Sequence, residues 1–361
     1  MKIDKLLMAI GAWGNHLHNE IYVFDNSMWR KDKEIWEAIQ GSSWDEVILE
    51  PAMKQNLIRD VQGFFDNREP YKKLSVPWKR GIILHGVPGN GKTISIKALI
   101  KSLYSRPDPI PSLYVKSFNS GSGEKHAIRT IFDMARKMAP CLLIFEDLDS
   151  LIQEKTRSYF LNEVDGLESN DGILMIGSTN HLDKLDPAIS KRPSSFDRKY
   201  NYKLPGEAER TTYCRFWRDK LIGADMVDFP EELCPVIAQL TDGFSFAYLK
   251  ELFVIVLWTI ARSKSDEKTA MEMGVAENST VSSEDGYSTD GHVIVDRDGT
   301  TAVSTTAFQS SVQQSANIAS TQKKEVLPHI ELNETLKHSV LLKVVVEQVS
   351  VLFLEMDNTK E

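Results

Sequence analysis

The chain has 361 residues, of which 42% are hydrophobic, and its formal net charge is −8 at pH 7. This size and composition suffice to bury a core and suggest two or three domains. The negative balance argues against nucleic acid as a bulk electrostatic partner, although a local basic pore is compatible with it. Three scattered cysteines, Cys141, Cys214 and Cys234, make neither a disulfide framework nor a zinc site. No apolar run reaches the ~18 residues of a membrane span.

The first part of the chain gives only weak signals. Residues 1–43 form a segment of uncertain fold, in which 20–25 fits a strand and 31–39 fits a short helix. The pattern then becomes clearer, and residues 52–65 predict an amphipathic helix whose apolar face holds Leu57, Ile58, Val61 and Phe64.

Between residues 44 and 205 the chain reads as one α/β domain. Apolar runs predict strands at 81–86, 113–117, 141–145, 173–177 and 199–203. Stretches with helical periodicity between them predict helices at 92–103, 125–138 and 156–164. Near-continuous apolar strands that alternate with helices predict a parallel sheet covered by helices on both faces.

After residue 205 the strand signals stop. Helical patterns at 207–221, 231–240 and 246–262 predict a small all-helical domain over 206–262. Residues 263–327 are rich in Ser, Thr and acidic side chains, and we predict that this insertion is disordered. Apolar residues return at helical spacing over 336–356, so the segment 328–361 is expected to supply a C-terminal helix that completes the helical domain.

A phosphate-binding loop is the strongest motif in the chain. It follows the G-x-x-x-x-G-K-T pattern as Gly86, Val87, Pro88, Gly89, Asn90, Gly91, Lys92 and Thr93. The alternative is a glycine turn that binds nothing, but a predicted strand precedes the loop and a predicted helix follows it, as the motif requires. Backbone N–H groups of such a loop converge on phosphate oxygens. Lys92 is then placed for the β- and γ-phosphates and Thr93 for Mg²⁺, so the loop predicts a nucleoside triphosphate site.

Polar residues end the two following buried strands. Glu146 and Asp147 come at the end of the strand at 141–145, where one acid can hold hydrated Mg²⁺ and the other can activate water. The alternative is that these acids only cap the next helix. Asn180 ends the strand at 173–177 and could reach the γ-phosphate or the attacking water, although an isolated Asn would be a turn residue.

Taken together, these elements resemble an AAA-type ATPase of a fungal group similar to the mitochondrial respiratory-complex assembly chaperones. The resemblance runs from about residue 44 to 262. It rests on the loop and on VPWKRG (76–81), FEDLD (145–149), NEVDGL (162–167), STNHLDKLDPA (178–188) and GFSFAYL (243–249). It implies a P-loop NTPase fold with a five-stranded parallel sheet followed by a helical lid. It also implies a homo-oligomeric ring, often a hexamer, that binds ATP and Mg²⁺.

The resemblance also implies roles for single residues. Glu146 and Thr93 occupy the positions that hold Mg²⁺ in the family. Asp147 occupies the position of the catalytic acid, and Asn180 that of a residue that senses the γ-phosphate. Arg198 matches a second arginine finger that acts on the neighbouring subunit. Ser195 stands where the first finger arginine is expected, which is a departure from the family. At the pore loop Phe118 is the one candidate for gripping a polypeptide, and it could equally pack beneath the end of the strand.

Three functions remain open at this stage. The leading one is Mg²⁺-dependent ATP hydrolysis that remodels an unidentified protein client. The second is an ATP-binding scaffold that turns over slowly or not at all, because Ser195 replaces a finger. A DNA-handling ATPase is disfavoured by the acidic balance. Because the ATPase pattern starts close to the first residue, we expect the cytoplasm or nucleus, ahead of the mitochondrion.

Overall fold

A computed structural model describes residues 17–192, 195–221, 227–277, 336 and 338–358. It begins with a β-hairpin of two strands, β1 (Ile21–Asp25) and β2 (Met28–Asp32), which pair antiparallel. Asn26 and Ser27 join them with positive φ angles of 48° and 73°. Two left-handed residues match the twist of the flanking strands, so this short loop closes the hairpin tightly.

The central sheet has seven strands in the order β2-β1-β4-β5-β6-β3-β7. Its other strands are β3 (Lys79–Gly86), β4 (Ser112–Val115), β5 (Cys141–Phe145), β6 (Ile173–Thr179) and β7 (Arg198–Tyr202). These five strands are parallel to one another, and β1 extends the sheet in parallel beside β4.

The predicted α/β class and parallel sheet are therefore confirmed, but the count of five strands is too low. The prediction rests on strands that alternate with helices, and the β1–β2 hairpin does not follow that alternation. Its second strand, β2, reads Met-Trp-Arg-Lys-Asp and offers no apolar run to recognise.

Helices cover both faces of the sheet. On one face α1 (Lys33–Gln40), α2 (Pro51–Asp66) and α4 (Lys92–Tyr104) bury the apolar residues Ile39, Leu57, Val61, Ile96 and Leu99. A short helix, α3 (Arg68–Lys73), follows α2. On the other face lie α5 (Glu124–Met138) and α7 (Glu154–Asp165), with the short helices α6 (Leu148–Leu151) and α8 (Pro187–Ser190) nearby in the chain.

Phe118 belongs to the core of that second face. Its side chain is 4% exposed, and its ring centroid lies 6.2 Å from that of Phe145 and 6.3 Å from that of Phe160. The expectation that Phe118 grips a polypeptide is therefore wrong, and the packing interpretation describes the structure. An aromatic ring that follows a buried strand finds more apolar contact beneath the sheet edge than in solvent.

The chain divides into two compact units. The first comprises Met1–Glu209 and Gly243–Ala247, and the second comprises Arg210–Asp242 and Tyr248–Glu361. Four helices supply the described part of the second unit: α9 (Glu207–Leu221), α10 (Leu233–Leu240), α11 (Phe246–Glu277) and α12 (Val340–Asn358). Within this unit α12 packs against α10 and buries Leu341, Leu342, Val345, Val349 and Leu352.

The predicted disordered insertion at 263–327 differs from the structure where it starts. Helix α11 continues to Glu277, so residues 263–277 are helical, and the remainder of the predicted insertion lies outside the described residues. Residues 263–273 contain no Gly or Pro and include Lys, Glu, Ala and Met, which favour helix even where they offer no apolar face. Within the described ranges, no helix combines the length and hydropathy that crossing a bilayer would need.

Candidate functional site

The phosphate-binding loop joins the carboxyl end of β3 to the first residue of α4, as the sequence predicts. Gly86 has a φ of 131°, and a Cβ at this position would lie 2.3 Å from the backbone oxygen of Tyr202 on β7. Gly89 has a φ of 76°, and its Cβ would lie 2.6 Å from the Cβ of Ala247. Both positions need glycine because of the left-handed backbone and because a neighbouring chain segment passes so close.

Lys92 is folded back over this loop. Its Nζ donates to the backbone oxygens of Gly86 at 2.7 Å and Val87 at 3.0 Å, and the residue is 8% exposed. Burial lowers the pKa of the Lys92 ammonium group, and the Asp147 carboxylate acts against that shift. The lysine is therefore held where phosphate oxygens can take over the two backbone contacts.

Glu146 receives hydrogen bonds on both carboxylate oxygens. The Thr93 hydroxyl donates to Oε1 at 2.8 Å, and the Tyr114 hydroxyl donates to Oε2. Burial, followed by the negative charge of Glu146, raises the pKa of the Tyr114 phenol, which therefore acts as a neutral donor. A hydroxyl and a carboxylate beside a phosphate loop are the oxygen donors that suit Mg²⁺, which usually completes its shell with water and substrate phosphates. The residues present thus fit the predicted metal.

Asp147 differs from Glu146 in backbone and in exposure. It has left-handed angles, φ 51° and ψ 53°, and its side chain is exposed and makes no capping hydrogen bond to α6. The alternative that this acid only caps a helix is therefore not what the structure shows. Together with Glu146 and Tyr114, Asp147 lines a cavity at the carboxyl edge of the sheet.

Asn180 reaches the same edge from β6. In the parallel register His85 of β3 faces Thr179 of β6, so the next residues along, Gly86 and Asn180, are neighbours. Both line one cavity, together with Lys199. The structure therefore brings Asn180 to the phosphate loop, as the order of the motifs predicts.

Arg198 is not brought to this edge. It starts β7 opposite Ile82, four residues before Gly86 along the parallel strands. Its Nε lies 3.3 Å from Asp60 of α2, and its side chain is 53% exposed. In a single chain Arg198 thus stands apart from the loop, which is compatible with action on another copy.

Ser195 is buried beneath the same end of the sheet. It is 1% exposed, and its hydroxyl donates to the Asp165 carboxylate at 2.6 Å. Lys79 also pairs with Asp165, at 2.8 Å, and Arg192 lies 3.5 Å from it. The position that would hold a first finger is therefore a packed structural residue, and Arg192 is engaged in the same cluster.

Sequence reasoning missed one contributor to the site. The sequence predicts Tyr114 only as a strand residue, although an aromatic hydroxyl near the carboxyl end of a buried strand is a signal in itself. The segment Gly243–Ala247 belongs to the GFSFAYL motif that carries the resemblance, and the structure adds its contacts: the Ala247 N–H donates to Gly89 O at 3.0 Å and the Phe246 N–H donates to Asn90 Oδ1 at 3.2 Å. The partners of these contacts lie far away in the chain and have no local sequence signal.

Comparison with known families agrees with this geometry. Residues 82–204 match the model of the ATPase family associated with various cellular activities (AAA). Residues 82–204 form an AAA ATPase domain. The match begins within β3, ends just after β7 and includes the phosphate-binding loop, both acids, Asn180 and Arg198. The cofactors of such a domain are ATP and Mg²⁺.

Similar curated proteins share the domain over part of their length. The proteasome-activating nucleotidase of Methanosarcina mazei is 30% identical over 211 residues, which are 55% of this chain and 49% of that protein. The ATP-dependent zinc metalloprotease FtsH of Acidothermus cellulolyticus is 30% identical over 239 residues, 61% of this chain and 34% of that protein. A cell division cycle protein 48 homolog of Archaeoglobus fulgidus is 28% identical over 226 residues, 60% and 30% of the two chains. The chain thus spans half or less of the length of these relatives.

Proposed function

We propose that this protein hydrolyses ATP with Mg²⁺ and uses the cycle to remodel a protein client. One observation carries the proposal: the Thr93 hydroxyl meets the Glu146 carboxylate at 2.8 Å, with Lys92 folded over the adjacent loop and Asp147 exposed next in the chain. Bound ATP with Mg²⁺ supplies the electrophilic γ-phosphorus. Within 82–204 the chain itself provides the groups that hold the phosphates and a base for the water.

Each residue has a distinct part in this reaction. Lys92 neutralises charge on the β- and γ-phosphates, and Thr93 and Glu146 hold the magnesium side. Asp147 accepts the proton of the attacking water, and Asn180 orients that water against the γ-phosphate. Arg198 of a second copy stabilises the charge that develops on the transferred phosphoryl group.

The chain is proposed to act as a homo-oligomeric ring on a protein client. Two of the similar proteins carry names that concern a proteasome and a protease, which supports a polypeptide as the client class. Within the family we place this chain near the mitochondrial respiratory-complex assembly chaperones. The order of its acids, Glu146 followed by Asp147, supports that placement.

Phosphate release per subunit tests the proposal most directly. It would be measured with Mg²⁺-ATP over a range of protein concentrations, for the wild type and for Lys92→Ala and Asp147→Asn. We expect turnover per subunit to rise cooperatively with concentration in the wild type, because the finger comes from another copy. Lys92→Ala should lose nucleotide binding and turnover, whereas Asp147→Asn should bind ATP and not hydrolyse it. Wild-type turnover no higher than that of Lys92→Ala would contradict hydrolysis, and an Asp147→Asn variant as active as the wild type would contradict the role of Asp147.

A second candidate function is an ATP-binding scaffold that turns over slowly or not at all. The observation that favours it is Ser195, which is buried against Asp165 where a first finger would have to be exposed. A scaffold would bind ATP and assemble but release no phosphate at any protein concentration. Sedimentation with and without ATP, run beside the phosphate assay, separates the two functions.

A further inference from the structure

Tyr114 reaches Glu146 because of the register of two parallel strands. Tyr114 of β4 faces Ile144 of β5, and their side chains lie on the same face of the sheet. Side chains two residues apart in a strand share a face, so Glu146 projects on this face as well, one step beyond Ile144. A phenol is long enough to cover that step, and the Tyr114 hydroxyl donates to Glu146 Oε2.

The other oxygen of Glu146 is held by a second hydroxyl. Helix α4 packs on the same face and brings the Thr93 hydroxyl within 2.8 Å of Oε1. The carboxylate therefore lies between two hydroxyl donors that come from different elements. The Thr93 donor belongs to the phosphate loop itself, whereas the Tyr114 donor comes from the neighbouring strand.

A glutamate needs such support more than an aspartate does. Its side chain has one more rotatable bond, so more conformations must be given up before the carboxylate can serve a metal. A donor that fixes the second oxygen removes part of that cost in advance. Partners of this kind that hold a ligating carboxylate typically change metal affinity or activity 10- to 100-fold when they are removed.

We propose that Tyr114 is a positioning residue, which holds Glu146 in the conformation that receives the Mg²⁺ of bound ATP. The inference rests on the proposed function of the same site. It predicts that the phenol hydroxyl affects how nucleotide binding depends on Mg²⁺, and that it acts only through Glu146.

The test is a Mg²⁺ titration of the binding of a fluorescent ATP analogue to the full chain. Tyr114→Phe keeps the ring and removes the hydroxyl. We expect its affinity in EDTA to equal that of the wild type, and its half-saturating Mg²⁺ concentration to rise about tenfold. Tyr22→Phe is the matched control: Tyr22 lies on β1 next to β4 and packs on the opposite core. It should titrate like the wild type.

A double variant separates positioning from simple packing. If Tyr114 acts through Glu146, adding Tyr114→Phe to Glu146→Gln should produce no further rise in the Mg²⁺ requirement. A tenfold rise in that background as well would overturn the inference. The inference would also be overturned if the Mg²⁺ titration of Tyr114→Phe superimposed on that of the wild type, or if nucleotide binding by the wild type did not depend on Mg²⁺.

Failure of the proposed function gives a different result. A chain that releases no phosphate, yet whose Mg²⁺ titration shifts with Tyr114→Phe and not with Tyr22→Phe, would refute hydrolysis and keep the positioning role. Normal hydrolysis, together with a Mg²⁺ titration that Tyr114→Phe does not shift, would keep the proposed function and refute the positioning role.

Discussion

The two ends of β3 and β7 differ in how much of the reaction they contain. At the carboxyl ends, Lys92, Thr93 and Glu146 already contact one another or the loop backbone. At the amino ends, Arg198 is half exposed, and its Nε lies 3.3 Å from Asp60. One chain thus brings together the groups proposed to bind the phosphates and leaves Arg198, the cation proposed to stabilise charge, at the far end of the same strands. This separation is the reason why the proposed reaction needs a second copy.

The amino end is nevertheless organised. Asp60 contacts two residues of β7. It accepts a hydrogen bond from the Tyr200 hydroxyl at 2.7 Å and forms an ion pair with Arg198, whose Nε lies 3.3 Å away. An arginine that is already held by an ion pair loses less conformational freedom when it binds.

A mixing experiment tests most directly whether Arg198 of one copy acts at the phosphate loop of another. Lys92→Ala and Arg198→Ala should each lower turnover about 10³-fold or more, the first by losing phosphate binding and the second by losing the finger. Equal mixtures should recover part of the wild-type turnover, because a Lys92→Ala chain still offers Arg198 to an intact loop next to it. Phosphate release from the mixture is the measurement. Mixtures as inactive as their components would place Arg198 outside the reaction.

A substitution at Gly86 tests how tightly the backbone is packed at the carboxyl end of β3. Gly86→Ala should destabilise the protein by about 2–3 kcal/mol or more, since the new Cβ would lie 2.3 Å from the oxygen of Tyr202 at a φ of 131°. Gly121→Ala is the control, because nothing lies within 4 Å of its Cβ and its φ is not positive. Urea unfolding of both variants measures the difference. Equal midpoints would mean that the loop relaxes freely.

Asp60→Asn tests the ion pair with Arg198 at the amino end, where we expect a smaller effect. The substitution keeps the shape of the side chain and removes the charge that faces Arg198. Turnover is expected to fall about two- to fivefold, the range of a partly exposed ion pair, with ATP affinity unchanged. Steady-state kinetics beside equilibrium binding would show this. A loss of ATP affinity would mean that the two ends are not separate.

The smallest expected effect is on pH dependence at the carboxyl end. Burial, then Lys199 and Lys92, lower the pKa of His85 from its usual 6.5. The folded chain therefore binds this proton less readily than the unfolded chain, and stability falls as the pH drops below about 6.5. His85→Gln should show a smaller drop in melting temperature between pH 7.5 and 5.5. An unchanged drop would assign the effect to other groups.

The parts of the molecule that the sequence predicts are those with local signals. The strand ends at Glu146 and Asn180 follow directly from apolar runs that stop at polar residues, and glycine spacing locates the loop. The register of a parallel sheet then brings these ends together whatever the rest of the chain does.

The rest depends on contacts between distant segments. The β1–β2 hairpin joins the sheet only because β1 pairs with β4, about 90 residues further along the chain. The Tyr114–Glu146 contact depends on how two strands are aligned, and the burial of Phe118 and Ser195 depends on what packs above them. None of these is encoded within a window of neighbouring residues.

The close approach of β7 to the loop has a mechanical consequence. Arg198 and Tyr202 are the two ends of one strand, and the backbone of Tyr202 leaves no room for a side chain at Gly86. A strand paired along its whole length is stiff, and four residues at about 3.3 Å each span about 13 Å. In the proposed ring, a force exerted on Arg198 by the nucleotide of one subunit would therefore be transmitted along β7 to the phosphate loop of the next. Such a connection would couple ATP hydrolysis in neighbouring subunits in one direction around that ring.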